Sequence, residues 1–180
     1  GLIERGSLDY VVASHVFEHL PDPIRWLRSN LELLRPRGRI ALVVPDRRYC
    51  FDLARPRTRL SDMISAYVEQ RTRPSFAQIV EHVFEAREVT AQDVWEGRIA
   101  ADTAPLRRTP AEALKAVQNY HQRQDYIDVH CWKLADHECL ELMEDVRKLF
   151  SLPMEVISFW PTQSGKNEFF ICLERTEGSV

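Results

Sequence analysis

In the stretch VVASHVFEHLPD, residues 11–22, the residues His15, Glu18 and His19 spell H-x-x-E-H. Two imidazoles and a carboxylate at that spacing can support two kinds of chemistry. On one continuous helix the histidines lie a turn apart and hold a zinc ion, with the Glu between them as general base, the inverted zinc-peptidase signature. On a strand-end turn the same residues face a ligand crevice and move a proton without a metal. The neighbouring residues separate these readings. LDYVVASHV, residues 8–16, is a continuous β-favouring apolar run, which predicts a strand buried on both faces that leads directly into His15. Pro21 then ends any helix after about one turn. Glu96 stands at a plausible distance downstream for a third zinc ligand, but the ligand-bearing helix itself has no room. A second cluster, His130, Cys131, His137 and Cys139, fits no common finger spacing, and Cys139 belongs to the apolar face of a helix. No metal is expected at either place, and an HxxEH zinc peptidase is kept as a minor alternative.

The elements that position these residues follow from periodicity. Asp22-Pro23 reads as an N-cap followed by Pro at the first helical position, and Ile24, Leu27, Leu31 and Leu34 then recur at helical spacing before Pro36 and Gly38. RIALVVP, residues 39–45, is a second apolar strand. Strand, helix and strand with short joints predict a βαβ unit over 1–46, with its two strands parallel. Residues 47–128 carry helical patterns and no convincing strand, which predicts a helical insertion or lid. Residues 129–180 contain an amphipathic helix from Asp136, with Cys139, Leu140, Met143, Val146 and Phe150 on its apolar side. Two strands follow, joined through a Ser-Gly turn within Gln163 to Lys166.

At 180 residues, 44% hydrophobic and 28% charged, the chain is long enough for one cored domain. A net charge of −3 argues against a general nucleic-acid surface. The four cysteines are scattered without a C-x-x-C pair, which fits free thiols in a reducing cytoplasm. No apolar run reaches the length of a membrane span and no signal peptide is read.

Taken together, LDYVVASHVFEHLPDPIRWLRSNLELLRPRGRIALVVPD resembles the second half of a class I S-adenosylmethionine-dependent methyltransferase. Asp9, Glu18-His19, Pro21, Pro23, Leu34, Pro36 and Gly38 match that family's pattern, and Arg37 stands where its first turn Gly is usual. PDRRYCFD, DYIDVHCWKL and PTQSGKNEFFICLER resemble a bacterial subgroup associated with glycosyltransferase and surface-polysaccharide genes. The resemblance implies an α/β fold: the C-terminal portion of a Rossmann-like methyltransferase sheet, parallel strands plus a terminal antiparallel hairpin, with a helical insertion. It also implies S-adenosylmethionine as cofactor in the complete domain. The family's Gly-rich cofactor loop finds no counterpart, since no G-x-G occurs in the sequence. The chain is therefore expected to hold the fourth strand onward of a seven-stranded sheet and to be inactive alone.

By the same resemblance Ser14, His15 and Val16 run alongside the methionine part of the cofactor, and His19, oriented by Glu18, is the candidate base for a sugar or glycan hydroxyl. Asp46, Arg47, Arg48 and Tyr49 at the next strand end are candidates for the acceptor side, since Arg grips phosphate or carboxylate at two points. His130 and Trp132 are candidates to close over a sugar ring, with ordinary core packing the competing role for Trp132. Two alternatives stay open: Glu18 and His19 merely brace the turn, or the chain is a non-catalytic remnant that binds partners or forms homo-oligomers through an exposed sheet edge.

Overall fold

A computed structural model describes residues 3–123 and 127–177. Its organising feature is a mixed four-stranded sheet with strand order β1-β2-β4-β3. Strand β1 (Leu8–Ser14) pairs in parallel with β2 (Leu34–Pro45), and the helix α1 (Pro23–Leu33) joins them. This is the expected βαβ unit. The Asp22 carboxylate accepts a hydrogen bond from the amide of Arg25 at 2.9 Å, so Asp22 caps α1 and Pro23 opens it. Antiparallel to β2 runs β4 (Glu168–Arg175), which pairs in turn with β3 (Met154–Trp160). The turn between β3 and β4 closes through a hydrogen bond from the Lys166 amide to the Gln163 carbonyl, and Gly165 supplies the positive φ of 79°.

One expectation is corrected. β1 is not buried on both faces: it lies at the sheet edge, with Tyr10 62% and Val12 72% exposed. The apolar run reported a strand correctly, but only its β2 side is paired. The strand interior to the sheet is β2, where Ile40, Leu42 and Val44 alternate into the core. It also begins earlier than the apolar run suggests, at Leu34, with a register irregularity between Leu8 and Tyr10. In that irregular stretch Arg37 takes φ 63°, while Gly38 is needed for space: a Cβ there would meet the backbone oxygens of Arg35 at 2.9 Å and Leu8 at 3.0 Å.

Between β2 and β3 lie the helices α2 (Leu60–Val68), α3 (Phe76–Glu85), α4 (Ala91–Trp95), α5 (Pro110–Arg123) and α6 (Asp136–Leu149). The faces they bury follow the sequence pattern with small shifts. α2 buries Met63 and Ala66 and leaves Val68 exposed, α3 buries Ile79 and Val83, and α6 buries Cys139, Leu142, Met143 and Val146. These side chains join Ile24, Leu27 and Leu31 of α1 and Phe169, Ile171 and Leu173 of β4 in one hydrophobic cluster. Each such side chain contributes roughly 1.5–3 kcal/mol by leaving water. Among the described residues no helix is long and apolar enough to cross a membrane.

Candidate active site

At the carboxyl end of β1 the chain turns sharply. His15 adopts φ 51°, and its amide still donates to the Val43 carbonyl of β2 at 3.0 Å. A single 3-10 turn, Phe17–His19, follows and is closed by the His19 amide donating to the Val16 carbonyl. Phe17 is wholly buried and anchors the turn, which carries the adjacent Glu18 inward as well. The Glu18 carbonyl accepts hydrogen bonds from the amides of Cys131 (2.7 Å) and Trp132 (3.1 Å). The indole of Trp132 donates to the Leu20 carbonyl at 2.6 Å. A segment more than a hundred residues away in sequence is thereby clamped onto the H-x-x-E-H turn, and it brings His130 with it.

The result is a carboxylate ringed by three imidazoles. Glu18 is 0% exposed, and neither of its carboxylate oxygens meets a hydrogen-bond donor among the described residues. Facing Glu18 Oε1 are His19 Nε2 at 3.6 Å, His15 Nδ1 at 3.7 Å and His130 Nε2 at 3.9 Å. The second nitrogen of every ring faces another carboxylate. His130 Nδ1 bonds Asp52 Oδ2 at 2.6 Å, His15 Nε2 bonds Glu168 Oε2 at 2.8 Å, and His19 Nδ1 stands 2.7 Å from Asp128 Oδ1. The His19 and His130 rings meet edge to face at 4.7 Å, and Phe51 covers His130 at 4.5 Å.

The electrostatics follow from burial. Loss of water pushes the Glu18 carboxyl above its ordinary value. Burial acts on Asp52 in the same direction, but the hydrogen bond to His130 and the charge of Arg55 outweigh it and hold Asp52 below its ordinary value. Arg55, itself buried, donates to Asp52 at 2.5 Å, to Glu81 at 3.0 Å and to the His130 carbonyl at 3.0 Å. Asp52 and Arg55 therefore fix His130 from behind.

The structure gathers the sequence-nominated residues into separate places. His15, Glu18, His19 and His130 meet at one point. Ser14 and Val16 flank them, both exposed on the open side of β1. Asp46, at the end of β2, is wholly buried; its carboxylate accepts from the Arg48 amide (3.0 Å), the Arg48 guanidinium (2.9 and 2.6 Å) and the Thr162 hydroxyl (2.7 Å). Arg48 also pairs with Asp136, and Arg47 makes a two-point bond to Glu138. Both guanidiniums are thus already engaged by this chain's own carboxylates. Tyr49 stacks on Trp95 with ring centroids 4.1 Å apart, and Trp132 is buried in the core.

The zinc-peptidase alternative is not supported by this geometry. His15 precedes the 3-10 turn with a left-handed backbone and does not share a helix with His19. Glu96 is taken up by Arg98 and Gln92. Among the described residues, the cluster able to hold an ion combines Glu18, His19 and His130, and does not include His137, Cys131 or Cys139. Sequence reasoning missed Asp52, Arg55, Asp128 and Glu168. Asp52, Asp128 and Glu168 do lie within the stretches PDRRYCFD, DYIDVHCWKL and PTQSGKNEFFICLER that resemble the family subgroup, but nothing local says which remote loop folds over the turn.

The family model described as a methyltransferase domain matches residues 4–92, just under half of the chain. No curated protein matches. Similar solved structures include an S-adenosylmethionine-dependent methyltransferase from Methanosarcina mazei, 16% identical, with 97% of this chain and 62% of that one covered and a TM-score of 0.40. Another, from Mesorhizobium loti, is 12% identical, with 96% and 64% covered and a TM-score of 0.43. The chain thus spans less than two thirds of the length of either.

Proposed function

We propose that this chain is part of an S-adenosylmethionine-dependent methyltransferase that methylates an oxygen of a sugar or glycan-type acceptor. The observation that carries this reading is the coincidence of two things. The methyltransferase-domain match covers the βαβ unit, and a buried, titratable cluster around the H-x-x-E-H turn stands at the carboxyl end of that unit's first strand. In α/β sheets ligands bind at such strand ends.

The residues present fit one wall of a cofactor site. Ser14, His15 and Val16 are exposed where the edge strand ends, and His15 there takes a left-handed backbone. When bound, the cofactor supplies a sulfonium methyl that any well-aligned oxygen nucleophile can take. Alignment and exclusion of water then fall to the protein. A hydroxyl acceptor must also lose a proton. His19 is suited to receive it at Nε2, because Asp128 Oδ1, 2.7 Å from Nδ1, is placed to pair with the imidazolium that forms. Glu18, 3.6 Å from that Nε2, favours the imidazolium that results. Asp128 takes over the orienting role that the sequence suggested for Glu18. Asp46 and Arg48 position the end of β2, Arg47 ties it to α6, and the Tyr49–Trp95 stack offers an aromatic face on the acceptor side. The helical segment after β2 acts as the lid that selects the acceptor.

The test uses the protein encoded by the full reading frame and methyl-labelled S-adenosylmethionine with a panel of sugars, nucleotide sugars and glycans. Transfer of label to a sugar oxygen is expected, with His19→Ala lowering kcat by about 10²-fold or more. No transfer to any acceptor would refute the reading, and a His19→Ala variant within about twofold of wild type would refute the base assignment.

A further inference from the structure

We propose that Glu18, His19 and His130 form a binding site for one divalent first-row transition ion. Their ligand atoms lie within 4.8 Å of one another, on a buried or half-buried floor. Three observations converge on an ion. First, Glu18 is 0% exposed with both oxygens lacking a hydrogen-bond donor, although buried carboxylates are normally paired. Second, the imidazole nitrogens that face it at 3.6 and 3.9 Å stand too far for hydrogen bonds. They are close to the spacing of donors around one ion, since bonds of about 2.0–2.2 Å set tetrahedral ligand atoms roughly 3.3 Å apart. Contraction of the three ligand atoms from within 4.8 Å of one another would close the site.

Third, the outer partners prepare the inner nitrogens. His130 donates Nδ1–H to Asp52, and His19 presents Nδ1 to Asp128. With its Nδ1 proton held by Asp52, the His130 ring turns the Nε2 lone pair toward Glu18. His15, held at its far nitrogen by Glu168, presents Nδ1 from a third side at 3.7 Å. Carboxylate-backed histidines are the usual second layer of a metal site. Two imidazoles with one carboxylate favour Zn²⁺, Co²⁺ or Fe²⁺ over the oxygen-seeking Mg²⁺ and Ca²⁺. The donors come from a strand-end turn and from the loop before α6, so the ion would pin the two together. It would also engage His19 Nε2, so the base role proposed above belongs to the metal-free protein.

The proposal needs neither cofactor nor acceptor, and its test is independent of methyl transfer. Protein stripped with chelator and dialysed is titrated calorimetrically with Zn²⁺ and with Mg²⁺, and Co²⁺ loading is followed by visible absorption. One equivalent of Zn²⁺ is expected, with Mg²⁺ at least about 100-fold weaker, and Co²⁺ should give the d–d bands of a nitrogen- and oxygen-ligated ion. Glu18→Gln and His130→Ala should each weaken Zn²⁺ at least about 10-fold, and Asp52→Asn by about 10- to 100-fold. The exposed His137→Ala should leave binding unchanged. Where His130→Ala fails to fold by circular dichroism, His19→Gln carries the same expectation. Failure of wild type to bind Zn²⁺, unaltered binding in folded Glu18→Gln and His19→Gln, or equal loss in His137→Ala would each overturn the proposal.

Discussion

Glu18 and Asp46 close the ends of neighbouring strands, both wholly buried, yet their environments are opposite. Asp46 accepts from an amide, a guanidinium and a hydroxyl. Glu18 meets no donor among the described residues. A fully satisfied buried carboxylate serves the fold, whereas an unsatisfied one is retained at a stability cost, as functional groups are. Asp46→Ala should therefore destabilise by about 1–3 kcal/mol in urea unfolding, because it leaves the Arg48 amide and the Thr162 hydroxyl without their acceptor. Glu18→Gln in metal-free protein should leave stability unchanged or raise it, since it removes a buried carboxylate that accepts no hydrogen bond among the described residues. Gly38→Ala should cost about 1–3 kcal/mol, because the added methyl would press on backbone oxygens of Arg35 and Leu8 that cannot swing aside. At this scale the sequence was half legible. His15, Glu18 and His19 announce themselves by spacing. Asp52, Asp128 and Glu168 lie in stretches that stood out by resemblance, but their pairing with the turn depends on how remote segments fold onto it.

Among the elements, the βαβ unit was readable because each of its signals is local: the Asp22 cap, Pro23, the helical recurrence of Ile24, Leu27 and Leu31, and the alternation along β2. Asp22→Ala should cost about 1 kcal/mol by the same urea measurement, through loss of the bond to the Arg25 amide. Strand β1 was misjudged in its surroundings, since an apolar run does not say whether one edge or two are paired. The helix α3 adds a pH dependence. Burial, with Arg55 nearby, lowers His82 from its ordinary 6.5 to about 4. The unfolded chain then takes up that proton first, so this contribution to stability is complete above about pH 6.5 and is lost as the pH falls toward 4. A His82→Gln variant should show a flatter urea midpoint between those pH values, and an unchanged slope would contradict the assignment. Thiols tell a related story. Cys131 is pushed up to about 12 by burial, and Cys139 is raised for the same reason, so both should resist a thiol reagent at pH 8 until urea unfolds the chain.

For the molecule as a whole, the open side of β1 is the feature that joins fold to function. Tyr10 and Val12 are exposed on one face of an edge strand whose outer backbone is unpaired among the described residues, a surface that invites another strand. We propose that isolated copies associate through it. Tyr10→Lys with Val12→Lys should shift the mass measured by light scattering toward monomer, and a wild type that is monomeric at all concentrations would exclude this association. The same edge ends at Ser14, His15 and Val16, the wall assigned to the cofactor. Amide chemical-shift mapping of the labelled chain against millimolar S-adenosylhomocysteine tests that assignment most directly. The account predicts shifts concentrated at Ser14, His15, Val16 and His19. Shifts centred elsewhere, or none at all, would contradict it.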